Sequence, residues 1–574
     1  MSGGHLFLTA ITCIVFMALV GWISWRKTRG TTETKEGYFL AGRGLGATFI
    51  AGSLLLTNLS AEQLIGLNGS SYGYNMSSMA WEVTAAVATI AMALIFLPKY
   101  LAGAFTTLPQ FLGDRFDPTV RRLSVLLFLL GYGLVTIPSV LYSGSLAVIS
   151  FFDVPALTGL DDFEALVATV IVIGAIGSVY AVFGGLRAVA VSDTLNGIGL
   201  LTIGILVPVF GLIALGNGSF FDGLSVLSND HTHKLNAIGD AQAPTPFGTI
   251  FTGMIFANLF YWCTNQYVIQ RTLGAQNLAE GQKGVLYSGF FKIMVPFLMM
   301  VPGVIAFHIY GPGLGTIDEA YPRLIRDVLP YWLSGFFLAV LLGAVFSSFN
   351  SLLNSAATLL TLDIYAPARE KARGRKVDDA ELVRVAKIAS VVIALFSFVV
   401  APLLYFSPAG LWQIIRVFTG FYNIPTVVIV IVGLFSARVP ALGAKLVIVF
   451  HVVTYGLLRF VFDDAVTLHF LHQYAILFVI ELGIMFACGW LAPRQEAWSF
   501  VRNEKVDLTP WVHAIPLSIT LMSFVVATYL LFSPIGAARS EGPGMAFALA
   551  IAGLVMGNAV MWARALRRPR LSHQ

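Results

Sequence analysis

Charge is what this chain has least of. Asp, Glu, Lys and Arg make up only 11% of its 574 residues, against roughly 25% in soluble domains. Hydrophobic residues make up 57% and the mean hydropathy is +0.80. Intrinsic disorder and a soluble multidomain enzyme are both excluded. Cysteine is scarce too. Cys13, Cys263 and Cys488 all sit in apolar runs, so they supply neither a disulfide framework nor zinc spacing. No HExxH occurs, and most histidines fall in loops or near the ends of apolar runs. A membrane enzyme would need such a cluster, so none is expected. The net charge of +5 is small and lies in short blocks. No basic domain for nucleic acid is present. What remains is a polytopic protein whose chief partner is the lipid bilayer.

A bilayer core needs about 20 apolar residues per helix. Fifteen runs qualify: about 5–25, 44–70, 76–98, 122–151, 163–183, 189–215, 246–269, 284–311, 330–364, 384–405, 409–435, 441–461, 467–491, 511–532 and 543–563. Charges follow the first run (Arg26, Lys27, Arg29) rather than precede it, which predicts an N-terminus outside. Alternating from there puts 28 of the 35 basic residues in inside segments and five outside, as the positive-inside rule requires. Lys292 and Arg416 fall within runs. The basic tail RALRRPR is then cytoplasmic. The longest outside segment, about 216–245, is too short for a soluble domain, and 366–383 reads as a topogenic charge block.

Polar groups inside a span are expensive and by default mark a pathway or a site. The second run contains LTNLSAEQLIGLNG, residues 55–69. Asn58, Ser60, Glu62 and Gln63 in one stretch suit a helix broken at mid-membrane, whose freed carbonyls can hold a cation. The alternative is a polar helix end at the outer surface. AWEVT places Glu82 beside Trp81, a combination suited to sugars or equally to the water interface. In FANLFYWCTNQYVIQRT, Asn258, Tyr261, Trp262 and Asn265 lie on neighbouring turns, while Tyr267 suits an interfacial belt. Lys292 lies some 12 Å from the inner end of its run, at a site or snorkelling. In GAVFSSFNSLLNSAATLLT most hydroxyls serve helix packing. Ser347 and Ser348 are singled out as oxygen ligands for a hard cation. Asp193 either draws a cation from the cytoplasmic side or pairs with Arg187.

The two candidates for broken helices open the first and sixth of ten spans running from 44 to 435, the pattern of two inverted five-helix repeats. The expected organisation is 1–43 for the first helix and cytoplasmic loop, 44–215 and 246–435 for the repeats, and 436–574 for accessory helices and tail.

FLAGRGLG, TNLSAEQLIGLNG, WEVT, YAVFGGLRAVAVSD, ANLFYWCTNQYVIQRTL, FSSFNSLLNSAATLLTLDIY and AYP at 320–322 resemble the solute:sodium symporter family, and within it the bacterial sodium/galactose branch. The resemblance implies an all-α, LeuT-type inverted-repeat fold with alternating access, coupled to Na+. It implies sugar contacts from Gln63, Glu82, Asn258 and Lys292, with Tyr261 as inner gate and Trp262 beside it. It implies a sodium site from the carbonyls of Leu56, Leu59 and Ala344 and the hydroxyls of Ser347 and Ser348, with Asp193 on the exit path. Ala85 stands where that branch has a serine. Arg416 stands where it has a sugar-contacting glutamine, and is expected to bind sugar, to pair with Glu82 or Glu62, or to snorkel into an outer gate. The expected function is sodium-coupled uptake of a galactose- or glucose-type hexose across a bacterial inner membrane, with no obligatory protein partner. The alternatives are symport of another small solute or a non-transporting sugar sensor.

Overall fold

The computed structural model describes residues 3–28, 34–152, 154–314, 317–406, 411–462, 465–500 and 506–567. Among them the chain is helical, and pairing between extended segments is limited to two isolated bridges. Among the described residues thirteen helices are long and apolar enough to cross a membrane. A bent pair, Ala47–Asn58 with Gln63–Gly73, makes a fourteenth crossing at 58°.

Fifteen spans are expected and fourteen meet this criterion. The difference is the seventh run, 246–269. It folds as short pieces, Gly253–Leu259, a π turn over Phe260–Thr264, and Gln266–Leu273. Asn265 between them is extended, with φ −76° and ψ 118°. The expected spans 163–183 and 189–215 are both present, but they lie in one helical stretch, Asp162–Leu215, so Arg187 is helical rather than in a loop. Two parts of that helix, Asp162–Val179 and Leu186–Leu215, qualify separately as spans. The intervening sequence has no proline to stop the helix.

Ser334–Thr358 is the central helix, buried along nearly its whole length, with Ser347, Ser348, Asn350, Ser351, Asn354 and Ser355 all inside. Asp162–Leu215, Gly3–Thr28 and Asp379–Leu403 pack around it. Close approach depends on small residues, as it does where lipid removes the hydrophobic drive between helices. A Cβ on Gly52 would lie 2.7 Å from Thr194 Oγ1, and one on Gly303 would lie 2.2 Å from the Asn68 carbonyl oxygen. At the periphery, Met545–Arg567 buries no residue. It is held to Ala514–Leu531 by side-chain hydrogen bonds among Thr520, Ser523, Asn558 and Trp562.

Two basic residues expected in inside loops are core residues. Arg115 and Arg271 are fully buried. Arg115 donates to the carbonyls of Gly433, Ser436 and Val439, satisfying orphan acceptors where the Leu411–Phe435 helix ends.

Candidate functional site

The second span breaks because two residues leave the helical region. Leu59 has φ −80° and ψ 86°, and Ser60 has φ −87° and ψ 168°. The Ser60 N–H donates to the Asn58 carbonyl at 3.0 Å, so the Leu56 carbonyl is deprived of its helical i+4 donor. Free carbonyls are tolerated at this depth only beside a cavity or buried in protein. A cavity of about 210 Å³ lies there, lined by Thr57, Asn58, Ser60 and Gln63 from the break. That is far more than the roughly 10–15 Å³ that a single water needs, and it suits a small solute.

The far wall comes from two π turns, features that concentrate at functional sites. Phe260–Thr264 presents Tyr261 and Trp262, and Tyr132–Thr136 presents Thr136. Tyr261 donates its hydroxyl hydrogen to the Thr57 carbonyl at 3.5 Å and meets Trp262 and Tyr267 edge-on. Asn265 Oδ1 accepts from Tyr132 OH, which fixes the extended residue. Tyr267 is buried beside the cavity rather than in an interfacial belt.

Glu82 holds the polar centre together. Its Oε2 accepts from Lys292 Nζ at 2.6 Å and its Oε1 from Gln63 Nε2 at 3.0 Å. The two charged side chains are 3% and 1% exposed, so Lys292 does not snorkel and Glu82 is not at the water interface. Lys292 also lies over the Trp262 ring, 5.5 Å from its centre. Asn258 donates to Thr84 Oγ1 at 2.9 Å. Among the described residues Glu82 and Lys292 are the charged groups on the cavity. Their pairing leaves the described lining without net charge.

Ser348 lines this cavity, and its hydroxyl is buried with no hydrogen-bond partner among the described residues. Ser347, about 100° round the helix, opens instead on a separate space of about 20 Å³ with Ser192, Asn196 and Asn350. Leu56, Leu59 and Ala344 are all buried. Asp193 is fully buried and accepts from Ser53 Oγ at 2.6 Å. Its partner is therefore Ser53, not Arg187. Ser53 in turn accepts from Arg271 Nε at 3.0 Å, and Arg271 also reaches the Tyr267 carbonyl and Ser351 Oγ. This network lies about one helical turn along from the cavity residues Thr57 and Tyr267 and links four helices. The Arg416 and Glu62 side chains lie outside the described residues. Glu82, with both oxygens engaged, already has its partners.

Among the cavity residues that escape a reading of the sequence are Tyr422 and Asn423, about two turns past Arg416, and Phe470 and Tyr474 on Phe470–Leu491. Phe470 stacks on Trp81 at 6.4 Å. Trp81 beside Glu82 is a signal for an aromatic partner, but nothing in the sequence says which one.

The pattern of the Sodium:solute symporter family matches residues 38–449. The chain belongs to the sodium:solute symporter family. The Uncharacterized symporter YidK of Escherichia coli (strain K12) is 44% identical over 525 residues, 91% of this chain and 90% of that one. The Sodium/glucose cotransporter of Vibrio parahaemolyticus is 30% identical over 470 residues, 77% of this chain and 83% of that one. The human Sodium/myo-inositol cotransporter 2 is 27% identical over 570 residues, covering 89% and 82%. A solved Na+-coupled sialic acid symporter, substrate-bound and outward-open, matches with a TM-score of 0.71 at 18% identity, covering 85% of this chain and 99% of that one. That likeness establishes the fold, a LeuT-type bundle with flanking helices. This symporter is an integral membrane transporter and not an enzyme, and sodium is its coupling ion.

Proposed function

We propose that the chain carries a neutral hexose of the galactose or glucose type into a bacterial cell together with sodium, across the inner membrane, with its N-terminus outside. The observation that carries this is the Gln63–Glu82–Lys292 chain in a cavity with aromatic walls. A sugar offers hydroxyls around its rim and an apolar face. Donors and acceptors that now bond one another suit the rim, and Tyr261 and Trp262 suit the face. Among the described residues the one cation on the cavity, Lys292, is already neutralised by Glu82, which favours a neutral solute. The relatives named for glucose and myo-inositol support a cyclic polyol. The Glu82, Gln63, Asn258, Lys292, Tyr261 and Trp262 assignments belong to this proposal, as does Arg416 in one of its three roles.

The proposed sodium site combines the carbonyls of Leu56, Leu59 and Ala344 with the hydroxyls of Ser347 and Ser348. The Leu56 carbonyl without its helical donor and the Ser348 hydroxyl, without a hydrogen-bond partner among the described residues, support it. Asp193 would lie on the exit path. The helix breaks at Leu59–Ser60 and Asn265 support repeats at 44–215 and 246–435 that rock about this site, with 1–43 and 436–574 flanking. A 100 mV potential supplies about 2.3 kcal/mol per sodium, enough alone to concentrate a neutral solute roughly fifty-fold.

Uptake of radiolabelled hexoses into proteoliposomes, with and without a sodium gradient, tests the reading. Sodium-driven accumulation of galactose or glucose is expected. Binding without accumulation would make the protein a sensor. Accumulation of a different solute class in their place would refute the sugar assignment.

A further inference from the structure

A second buried ionisable pair lies outside the solute cavity. His451 sits at the middle of Ala441–Phe460 and Glu481 at the middle of Phe470–Leu491, and neither is exposed to solvent. An ionisable pair at that depth is expensive and marks function by default. His451 Nδ1 lies 2.6 Å from Glu481 Oε1, and Nε2 lies 2.9 Å from the Gly420 carbonyl oxygen.

The chemistry of these contacts fixes a proton count. A carbonyl only accepts, so Nε2 carries a hydrogen and donates it to Gly420. Nδ1 and Oε1 at 2.6 Å then need one more hydrogen between them. Either the imidazole is protonated against a carboxylate, or a neutral imidazole accepts from a carboxylic acid. Neutral histidine facing an ionised glutamate would oppose two lone pairs. Holding Gly420 therefore requires one proton in the pair.

Gly420 matters because of its neighbours in the chain. Thr419, Tyr422 and Asn423 on the same turn line the solute cavity. Pro425, four residues after Phe421, removes a backbone donor within this helix and weakens it locally. Tyr455 stacks on His451 at 5.5 Å, and a Cβ on Gly420 would lie 2.1 Å from its hydroxyl oxygen. This leaves no room for the turn to move toward His451.

Arg416 stands one turn before Gly420 on the packed helix Leu411–Phe435, with its side chain outside the described residues, and the other ionisable groups on the packed helices have their own places. Tyr455 stacks on His451, and Tyr474 lies beyond it at 6.0 Å. Arg459 bonds Gln473 and sits over Tyr455. Lys445 pairs with Asp117. From Pro118–Gly131, Arg121 goes to Asp363 and Arg122 to the Pro118 carbonyl. Tyr422 faces the cavity, His469 and His472 lie at the start of Phe470–Leu491, and Cys488 is two turns past Glu481.

We propose that His451 and Glu481 form a proton-binding site whose loaded state positions the cavity-lining turn Thr419–Asn423. Both are positioning residues that act through Gly420. As pH rises the pair gives its proton to water, the Gly420 bond is lost, and solute affinity falls. The proposal goes beyond the solute assignment and rests on it only for its readout.

The test is the KM for solute, separately from kcat, between about pH 6 and 9 in wild type and Glu481→Gln. A glutamine amide donates to Nδ1 permanently and stands in for the loaded pair. Wild-type KM should rise by about tenfold over this range and that of E481Q by less than twofold. Equal pH dependence in the two, flat or steep, overturns the proposal. If E481Q does not fold, calorimetry of solute binding to the wild type in two buffers of different ionisation enthalpy decides. Proton uptake on binding at the alkaline end is required, and its absence refutes the proposal. Failure of the solute assignment is distinguishable, because Asn258→Ala would then leave KM unchanged at every pH.

Discussion

Lys292→Met should be among the most damaging single changes in this protein, and Glu82→Leu should partly repair it. Methionine keeps most of the lysine's length and removes the ammonium. Glu82, 3% exposed, is then left as a buried carboxylate with one neutral hydrogen bond from Gln63. Removing one member of a buried pair costs about 3–5 kcal/mol. E82L alone should cost less, because the ammonium keeps the Trp262 face at 5.5 Å, a contact worth up to about 2 kcal/mol. The double variant buries no unpaired charge and should fall within about 1 kcal/mol of wild type. Summed independently, the two single losses would be roughly 4–8 kcal/mol, so the cycle should show a coupling of at least about 3 kcal/mol. The assay is unfolding of the purified protein in detergent, with sodium-driven uptake alongside. All three variants should lose uptake while stability returns only in the double. Additive losses of stability would refute the pair as a single unit.

Ser348→Ala removes an oxygen with no substitute nearby, so the sodium concentration for half-maximal uptake should rise at least about tenfold, equivalent to 1.4 kcal/mol. An unchanged sodium dependence in folded protein would remove Ser348 from the site. Gly303→Val would drive a side chain into the Asn68 carbonyl at 2.2 Å, and overpacking of this kind costs about 1–3 kcal/mol or more. The yield of monodisperse protein should drop, and a normal yield would show that the helices yield at this contact. Arg416→Gln should shift the order of competing hexoses toward that of galactose symporters if Arg416 contacts sugar or reshapes the site. A changed rate with the same order would place it in a gate.

The elements legible in the sequence are those where water and lipid disagree most. Glu82 and Lys292 stand out because a charge inside an apolar run is costly, and the structure pairs them across 210 positions at 2.6 Å. The break at Leu59–Ser60 is legible because polar residues are packed where a lipid-facing helix would not carry them. Arg271 is not legible. A basic residue at the inner end of an apolar run looks the same whether it faces headgroups or the core. The extended backbone at Asn265 decides, setting Gln266–Leu273 inside the bundle with every residue buried. The same break removes one long span from the count. Ser347 and Ser348 share a motif but open on different spaces, because adjacent positions on a helix diverge by about 100°. Phe470 and Tyr474 come from beyond the ten-span block, and an aromatic in an apolar run carries no mark of what it will face.

Coupling arises from how much the broken segment is asked to do. Thr57, Asn58, Ser60 and Gln63 line the cavity proposed for the solute, while the Leu56 and Leu59 carbonyls of the same turn belong to the proposed sodium site. The Thr57 carbonyl also accepts from Tyr261, the proposed inner gate, and Thr57 Oγ1 lies 3.3 Å from Ser351 Oγ, which Arg271 engages. A cation that fixes residues 56–60 therefore fixes one wall of the cavity without touching the solute. Linkage makes this reciprocal. Whatever factor sodium adds to solute affinity, the solute must add to sodium affinity. A helix unbroken at Leu59 would hold neither ligand, since its carbonyls would be spent on its own hydrogen bonds. On the proposed assignments the break is the shared element through which the two binding events act on each other, and it meets the Glu82–Lys292 pair of other helices through Gln63.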